Sequence, residues 1–270
     1  MTREWNAGEY ERLADPMTRW GGQVLERLTL TGNETVLDAG CGTGRVTAQL
    51  LVRLPHGHVI GVDASAAMIE QARERFATVD RVTLQAADLL TLTLPARVDA
   101  ILSTATFHWI LDHAALFAQL ATLLRPGGQL VAQCGGAGNI DGVRTAIAEV
   151  IQTAPFEAAF ANWHDPWEFA GPDITAERLT RAGFEPLDTW LNPEPVTLES
   201  QQHLADYLET IVLGTHLLRL TQEQQRLFAE AVAATLIRQT GQALIDYVRL
   251  NIIARRVGGS AGEQISRSAR

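Results

Sequence analysis

Short apolar runs alternate with amphipathic stretches through the first half of the chain. Residues 35–39, 58–62, 82–85, 100–105 and 129–134 are compact and apolar, as expected of buried strands. Between them, residues 45–54, 65–76 and 111–124 place apolar side chains three and four apart, the period of a helix with one buried face. The turn Arg125-Pro-Gly-Gly128 separates the last of these helices from the last of these strands. Strand–helix alternation of this kind predicts a parallel, doubly wound α/β sheet. Ahead of it, Leu13, Met17, Trp20, Val24, Leu25 and Leu28 give residues 1–30 a helical rhythm, interrupted at Pro16 and Gly21–Gly22.

Past residue 135 the rhythm changes. Residues 135–138 form a Gly-rich break, and 141–153 are predicted helical. Residues 155–172 then concentrate Phe156, Phe160, Trp163, Trp167 and Phe169 among three prolines. A helix at 174–182, the turn at Gly183, a strand at 184–191, helices at 199–219 and 221–239 and a final strand at 243–254 complete the reading. The expected architecture is a mostly parallel seven-stranded sheet, with one late strand antiparallel and a helical cap. The boundaries are a helical lid at 1–30, a core at 31–135, a cap at 136–182 and 199–240, and strands at 184–198 and 242–256 that rejoin the sheet. Residues 258–270, rich in Gly and Ser, are expected to be a disordered tail.

The turn after the first strand carries the chemistry. Asp38-Ala-Gly-Cys-Gly-Thr-Gly44 ends an apolar strand in a carboxylate and enters a helix through glycines at alternate positions. Such a turn lets a ligand approach the backbone closely. A dinucleotide fingerprint requires Gly-x-Gly-x-x-Gly, and its third glycine would fall on Arg45. Asp63 ends the second strand 19 positions after Gly44, placed to accept the two hydroxyls of a ribose. Asp88 follows the third, placed to accept from an adenine amino group with Leu89 against the ring. Three successive acidic strand ends outline a cleft at the carboxyl edge of the sheet, where open α/β sheets bind ligands.

These blocks, with Phe107-His-Trp109 and Leu124-Arg-Pro-Gly-Gly128 in the same order, resemble the class I S-adenosylmethionine (SAM)-dependent methyltransferases. Within them the chain is similar to the small-molecule branch that contains trans-aconitate and juvenile hormone acid methyltransferases. The resemblance covers roughly residues 35–135 and implies a Rossmann-like fold with SAM as cofactor, S-adenosylhomocysteine as product, and no metal. It places Asp38, Gly40, Cys41, Gly42, Gly44, Asp63, Ala64, Met68, Asp88, Leu89, Thr104 and Ala105 around the cofactor. SAM has no phosphate but carries an ammonium and a sulfonium, so Asp38 beside the turn is favourable where it would repel a pyrophosphate.

The end of the fourth strand should face the donor methyl group. His108 is the histidine best placed for general-base work, the alternative being a buried structural imidazole or a ring in the pocket wall. Phe107, Trp109, Tyr10, Arg19, Trp163, His164 and Trp167 are the expected acceptor pocket, with Arg219 a further cation from the cap. His56 and His58 read as solvated, and His113 as structural.

Composition narrows the partners. The formal net charge of −9 argues against a nucleic-acid substrate, which needs a basic face. All 22 basic residues are arginine, which excludes lysine Schiff-base chemistry. Two cysteines, Cys41 and Cys134, suggest a reducing compartment, and no set of ligands has metal spacing. No signal peptide or membrane-length apolar run is evident, so a cytoplasmic monomer or homodimer acting on a small molecule is expected. The expected acceptor is a small or medium apolar molecule methylated on a carboxylate oxygen. The alternatives are C- or N-methylation of a terpenoid- or polyketide-type natural product, and a non-catalytic SAM-binding module.

Overall fold

The computed structural model describes residues 15–258, and of residues 15–18 only the backbone. Trp5, Tyr10 and the tail from residue 259 lie outside the described residues. The core strands are β1 (Thr35–Ala39), β2 (His58–Asp63), β3 (Val82–Ala86), β4 (Val98–Thr104) and β5 (Leu124–Gly135). With the later strands β6 (Phe184–Pro193) and β9 (Val248–Arg256) they form one seven-stranded sheet in the order β3-β2-β1-β4-β5-β9-β6. The pairs from β3 through β5 are parallel, whereas β9 runs antiparallel to both β5 and β6. The chain winds outward from β1 to β3, then returns to β4 on the other side of β1. That reversal opens a crevice at the carboxyl ends of β1 and β4.

Both faces of the sheet are covered, so the central strands are buried and mostly apolar; four of the five residues of β1 are buried, Asp38 among them. One face packs under α1 (Asp15–Leu25) and α2 (Arg45–Arg53), where Val24, Leu28, Val46 and Leu50 meet Val36 and Val131. The other packs under α4 (His113–Leu123) and α6 (Pro172–Arg181), with Phe117, Leu120 and Leu179 against Leu37 and Ile101. Helix α3 (Ala66–Arg75) starts where Ser65 accepts from the Met68 amide at 3.3 Å, and α4 where Asp112 accepts from the Ala115 amide at 2.8 Å.

A second apolar cluster draws on residues 140–247 and on Trp20 of α1. It packs α5 (Asp141–Val150) against the 19-residue helix α9 (Gln222–Thr240), which opens on a Thr221/Gln224 capping box and closes at Gly241 with φ 76°. The helix expected at 199–219 is broken: α7 (Gln201–Tyr207) passes through one π turn, Leu208–Val212, into the short α8 (Gly214–Leu217).

The strand expected at 243–254 is also divided. Leu244–Ile245 forms β8, which pairs with β7 (Val196–Thr197) in a separate two-stranded ribbon. Asp246 interrupts it because its backbone and side chain are committed elsewhere: its carbonyl accepts from the Ile140 amide at 3.0 Å and its carboxylate from the Gly142 amide at 2.9 Å. No helix among the described residues is long and apolar enough to cross a membrane.

Candidate active site

Two hollows adjoin at the carboxyl edge of the sheet. A cleft of about 500 Å³ runs from the Gly turn past Asp63 and Asp88 to the loop after β4, with Pro166 and Thr215 on its far side. A cavity of about 50 Å³ lies beside it, walled by His108, Trp167, Phe169, Tyr247 and Arg249. Ala105 and Trp109 line both hollows. Ala105 holds a left-handed backbone (φ 56°), fixed by its amide donating to the Gln133 carbonyl at 2.7 Å. That conformation costs a residue with a side chain roughly 1–2 kcal/mol, so it is imposed by its surroundings.

The glycines of the turn are not equivalent. At Gly40 (φ +85°) an added Cβ would lie 1.9 Å from Thr106 Oγ1, so this glycine lets the loops after β1 and β4 touch. At Gly44 (φ +83°) it would strike the Phe76 ring at 2.4 Å, so this one serves packing of α2 against α3. At Gly42 (φ +54°) it would meet nothing within 4 Å. Gly42 is thus the open face of the cradle, and its amide donates to Asp63 at 2.9 Å. The second Asp63 oxygen accepts from the Ser65 amide at 2.9 Å, which fixes the plane of the carboxylate at the edge of the cleft.

Gly40, Gly42, Asp63, Ala64, Met68, Asp88, Leu89, Thr104, Ala105 and Trp109 all line the cleft. Asp38, Cys41 and Gly44 do not. Asp38 is completely buried, with one oxygen accepting from Thr47 Oγ1 at 2.5 Å and the other, Oδ1, without a hydrogen-bond partner. Burial pushes its carboxyl up to about 6, opposed by the Thr47 hydroxyl and aided by the charge of Asp63. Direct charge pairing across the cleft is therefore corrected to a field acting from beneath the turn. Cys41 is also buried, close behind Gly61, and burial followed by the two carboxylates holds its thiol well above its usual range.

The acceptor set is dispersed more widely. Trp109 and Trp167 reach the cavity, 5.8 Å apart. Phe107 does not: it is 1% exposed and packs edge-on to Phe117 in the core. Trp163 is half-buried, edge-on to Phe160 and tilted against His216, at the margin of the second cluster. His164 is exposed on the turn 161–166, and Arg219 is exposed with its guanidinium over the Trp163 ring. Arg19 is exposed beside Glu194. Each of these faces solvent or packing because its segment turns away from the crevice.

His108 also departs from the general-base expectation. The backbone N–H of Gly135 donates to His108 Nδ1 at 3.3 Å, and an amide can only donate. The ring therefore carries its proton on Nε2, and its one lone pair is already used. Burial, then Arg249 and His113, hold its pKa well below the usual histidine value, so it stays neutral. His113 is structural as expected, buried with Nε2 donating to the Phe107 carbonyl at 3.0 Å.

The residue that sequence reading missed is Arg249. It is 2% exposed, with its guanidinium 5.0 Å from the Trp20 ring centre and 5.9 Å from that of Tyr247. The signal was an arginine next to the apolar run that ends the chain's last strand. Asn139, Ile140, Ile211 and Val212 complete its walls.

The cleft accommodates an adenosine-bearing cation: two carboxylates at one side, apolar Met68 and Leu89, and an open glycine backbone. Comparison with known proteins agrees. Residues 36–128 match the family described as a methyltransferase domain. Trans-aconitate 2-methyltransferase of Enterobacter sp. (strain 638) is 30% identical over 259 residues, covering 94% of this chain and 98% of that protein. The enzyme of the same name from Methylobacterium radiotolerans is 30% identical over 266 residues with the same coverage. Among solved structures, a putative sarcosine dimethylglycine methyltransferase from Galdieria sulphuraria aligns with TM-score 0.59 at 13% identity, covering 92% of this chain and 88% of that one. A Haemonchus contortus phosphoethanolamine N-methyltransferase, solved with S-adenosylhomocysteine, aligns with TM-score 0.61 at 19% identity, covering 94% of this chain and 57% of that one.

The fold and cleft are those of a class I SAM-dependent methyltransferase acting on a small molecule. The chain belongs to the family of the trans-aconitate 2-methyltransferases.

Two outcomes follow for the turn. Gly40→Ala should lose roughly 2–3 kcal/mol or more in urea unfolding, because backbone strain and overlap with Thr106 add. Gly42→Ala should cost only about 1–2 kcal/mol of strain yet bind S-adenosylhomocysteine weakly in calorimetry, since its methyl enters the cleft. For Asp38, the folded chain holds the proton more tightly than the unfolded chain. Stability relative to Asp38→Asn should therefore fall as pH rises from about 4 to about 6, by about 3 kcal/mol, and stay level above. A pH-independent difference would show that Asp38 remains ionised throughout.

Proposed function

We propose that this enzyme transfers the SAM methyl group to a carboxylate oxygen of a small, largely apolar acid. One observation carries the reading: the cavity beside the cleft presents a buried guanidinium, Arg249, and an imidazole fixed as an N–H donor, His108, among aromatic walls. A guanidinium and a neutral N–H donor suit a carboxylate. A phenol, amine or carbon acceptor needs a base, and the His108 lone pair is already used. The acceptor named for the relatives, trans-aconitate, is itself a carboxylate.

In this reading Asp63 accepts the ribose hydroxyls, Asp88 the adenine amino group, and the backbone of Gly40 and Gly42 forms the floor. Bound SAM supplies an electrophilic methyl on a sulfonium. Arg249 and His108 Nε2 hold the acceptor carboxylate, already ionised at neutral pH, beside Ala105 and Trp109, where cleft and cavity meet. Trp109, Trp167 and Phe169 exclude water and contact the apolar body. Alignment of this kind supplies roughly 7–11 kcal/mol of a two-reactant barrier. The second apolar cluster, with α1, acts as the cap over this pocket. Binding is ordered, because Asp63 and Asp88 oppose an anion until the cofactor brings its positive charges.

Arg249→Met keeps length and apolar shape. It should lower kcat/KM for the acceptor roughly 10–100-fold, the usual worth of a charged hydrogen bond, with S-adenosylhomocysteine affinity within about twofold. A screen of trans-aconitate and aryl- and alkyl-carboxylates, read as S-adenosylhomocysteine release, supplies the acceptor; turnover confined to phenols or amines would sink the assignment. Because the acceptor carboxylate and His108 both hold one charge state, the pH–rate profile should be flat from about pH 6 to 8. A limb near the histidine pKa that disappears in His108→Gln would establish a base instead.

Asp63→Asn should weaken S-adenosylhomocysteine binding by about 1.5–3 kcal/mol without unfolding the chain. Calorimetry with NAD as the control ligand checks both affinity and cofactor choice.

A further inference from the structure

Glu194 lies in the short connection between β6 and β7, outside both hollows, yet it is tied to the wall of the acceptor cavity. Its backbone amide donates to the Tyr247 carbonyl at 2.8 Å, which anchors it to the residue two before Arg249. One side-chain oxygen accepts from Asn192 Nδ2 at 2.8 Å, and the other accepts from the indole N–H of Trp20 at 3.2 Å. Arg19, one residue earlier on α1, approaches that same oxygen at 3.8 Å.

Trp20 is the element these bonds hold. It is 1% exposed, its ring stands edge-on to Tyr247 at 5.3 Å, and the Arg249 guanidinium lies over its face at 5.0 Å. The guanidinium thus borders two rings that meet at a right-angle-like 71°, one on α1 and one on the chain leading into β9. An indole has a single polar donor, so its rotation about the ring plane is set by whichever acceptor that N–H finds. Here the acceptor is Glu194.

We infer that Glu194 is a positioning residue: by fixing the Trp20 indole through its N–H, it holds the aromatic face that aims the Arg249 guanidinium into the acceptor cavity. The inference rests on the reading of Arg249 as the acceptor's anchor. It assigns the carboxylate beside α1 to specificity for the acceptor rather than to the cofactor cleft, whose lining does not include it.

Four variants test it: Glu194→Ala, Glu194→Gln, Trp20→Phe and, as reference, Arg249→Met. The first readout needs no acceptor. Phenylglyoxal labelling of the folded enzyme, mapped by peptide mass spectrometry, reports access to Arg249, which is protected when the Trp20 face covers it. The second is initial-rate kinetics with trans-aconitate at saturating SAM. Glu194→Ala and Trp20→Phe should each raise labelling at Arg249 and raise KM roughly tenfold, with kcat and S-adenosylhomocysteine affinity within about twofold. Glu194→Gln keeps an acceptor for the indole N–H and should restore both protection and KM.

Unchanged labelling and KM in Glu194→Ala would overturn the inference. So would equal damage in Glu194→Gln, which would make charge rather than the hydrogen bond the operative feature. A parallel fall in kcat, cofactor affinity and melting temperature would reduce Glu194 to a structural contact and overturn it as well. If Arg249→Met raises KM while Glu194→Ala does neither, this inference alone fails. If labelling responds to Glu194 but Arg249→Met leaves KM unchanged, the carboxylate reading of the pocket fails, and with it the assignment of Glu194 to acceptor specificity.

Discussion

Strand polarity is the constraint on which the cavity beside the cleft depends. In a parallel sheet every strand delivers its last residues to the ligand edge, and its first residues to the opposite edge. β9 enters between β5 and β6 the other way round, so its first residues arrive where the others end. Arg249 pairs opposite Gly135, the last residue of β5, and the same glycine's amide holds the His108 ring. Reversing one strand is what lets a guanidinium reach the ligand edge from a rigid, fully paired element rather than from a loop.

Charge is then sorted by depth. The cleft is edged by Asp63 and Asp88 and underlaid by Asp38, a field that suits a cationic ligand and resists an anionic one. Arg249 sits on the far side of Ala105 and Trp109, among rings that lower the local dielectric and strengthen its attraction for an anion. In the proposed reaction donor and acceptor carry opposite charge, and the residues at the boundary between the hollows are the small Ala105 and the flat Trp109. The left-handed backbone of Ala105 coincides with that boundary.

The aromatic stretch at 155–172 divides its labour. Trp167 and Phe169 reach the cavity, stacked at 12°, whereas Phe156 and Phe160 build the interior of the second cluster around His216 and Phe228, with the half-buried Trp163 packed against it. A density of rings therefore marked a layer that must bury itself, and only its edge borders the cavity.

The sequence by itself determined which residues edge the cleft. The turn, Asp63, Asp88 and the residues just after them are local features at strand ends, and strand ends of a parallel sheet all converge on one edge. Periodicity was enough to order the elements and bring those positions together. It also placed Asp38 and Gly44 in the motif, but not their depth, because a one-dimensional pattern does not say which face of a turn is open. The cavity beside it was decided by tertiary structure. Trp20 is separated from Glu194, Tyr247 and Arg249 by most of the chain, and their meeting depends on the reversed strand and on which face of α1 packs inward. His108 was visible as a residue, but its chemistry was set by a backbone amide from β5. Hydrogen bonds and pairings between distant segments leave no local signature, and here they decide what the pocket can bind.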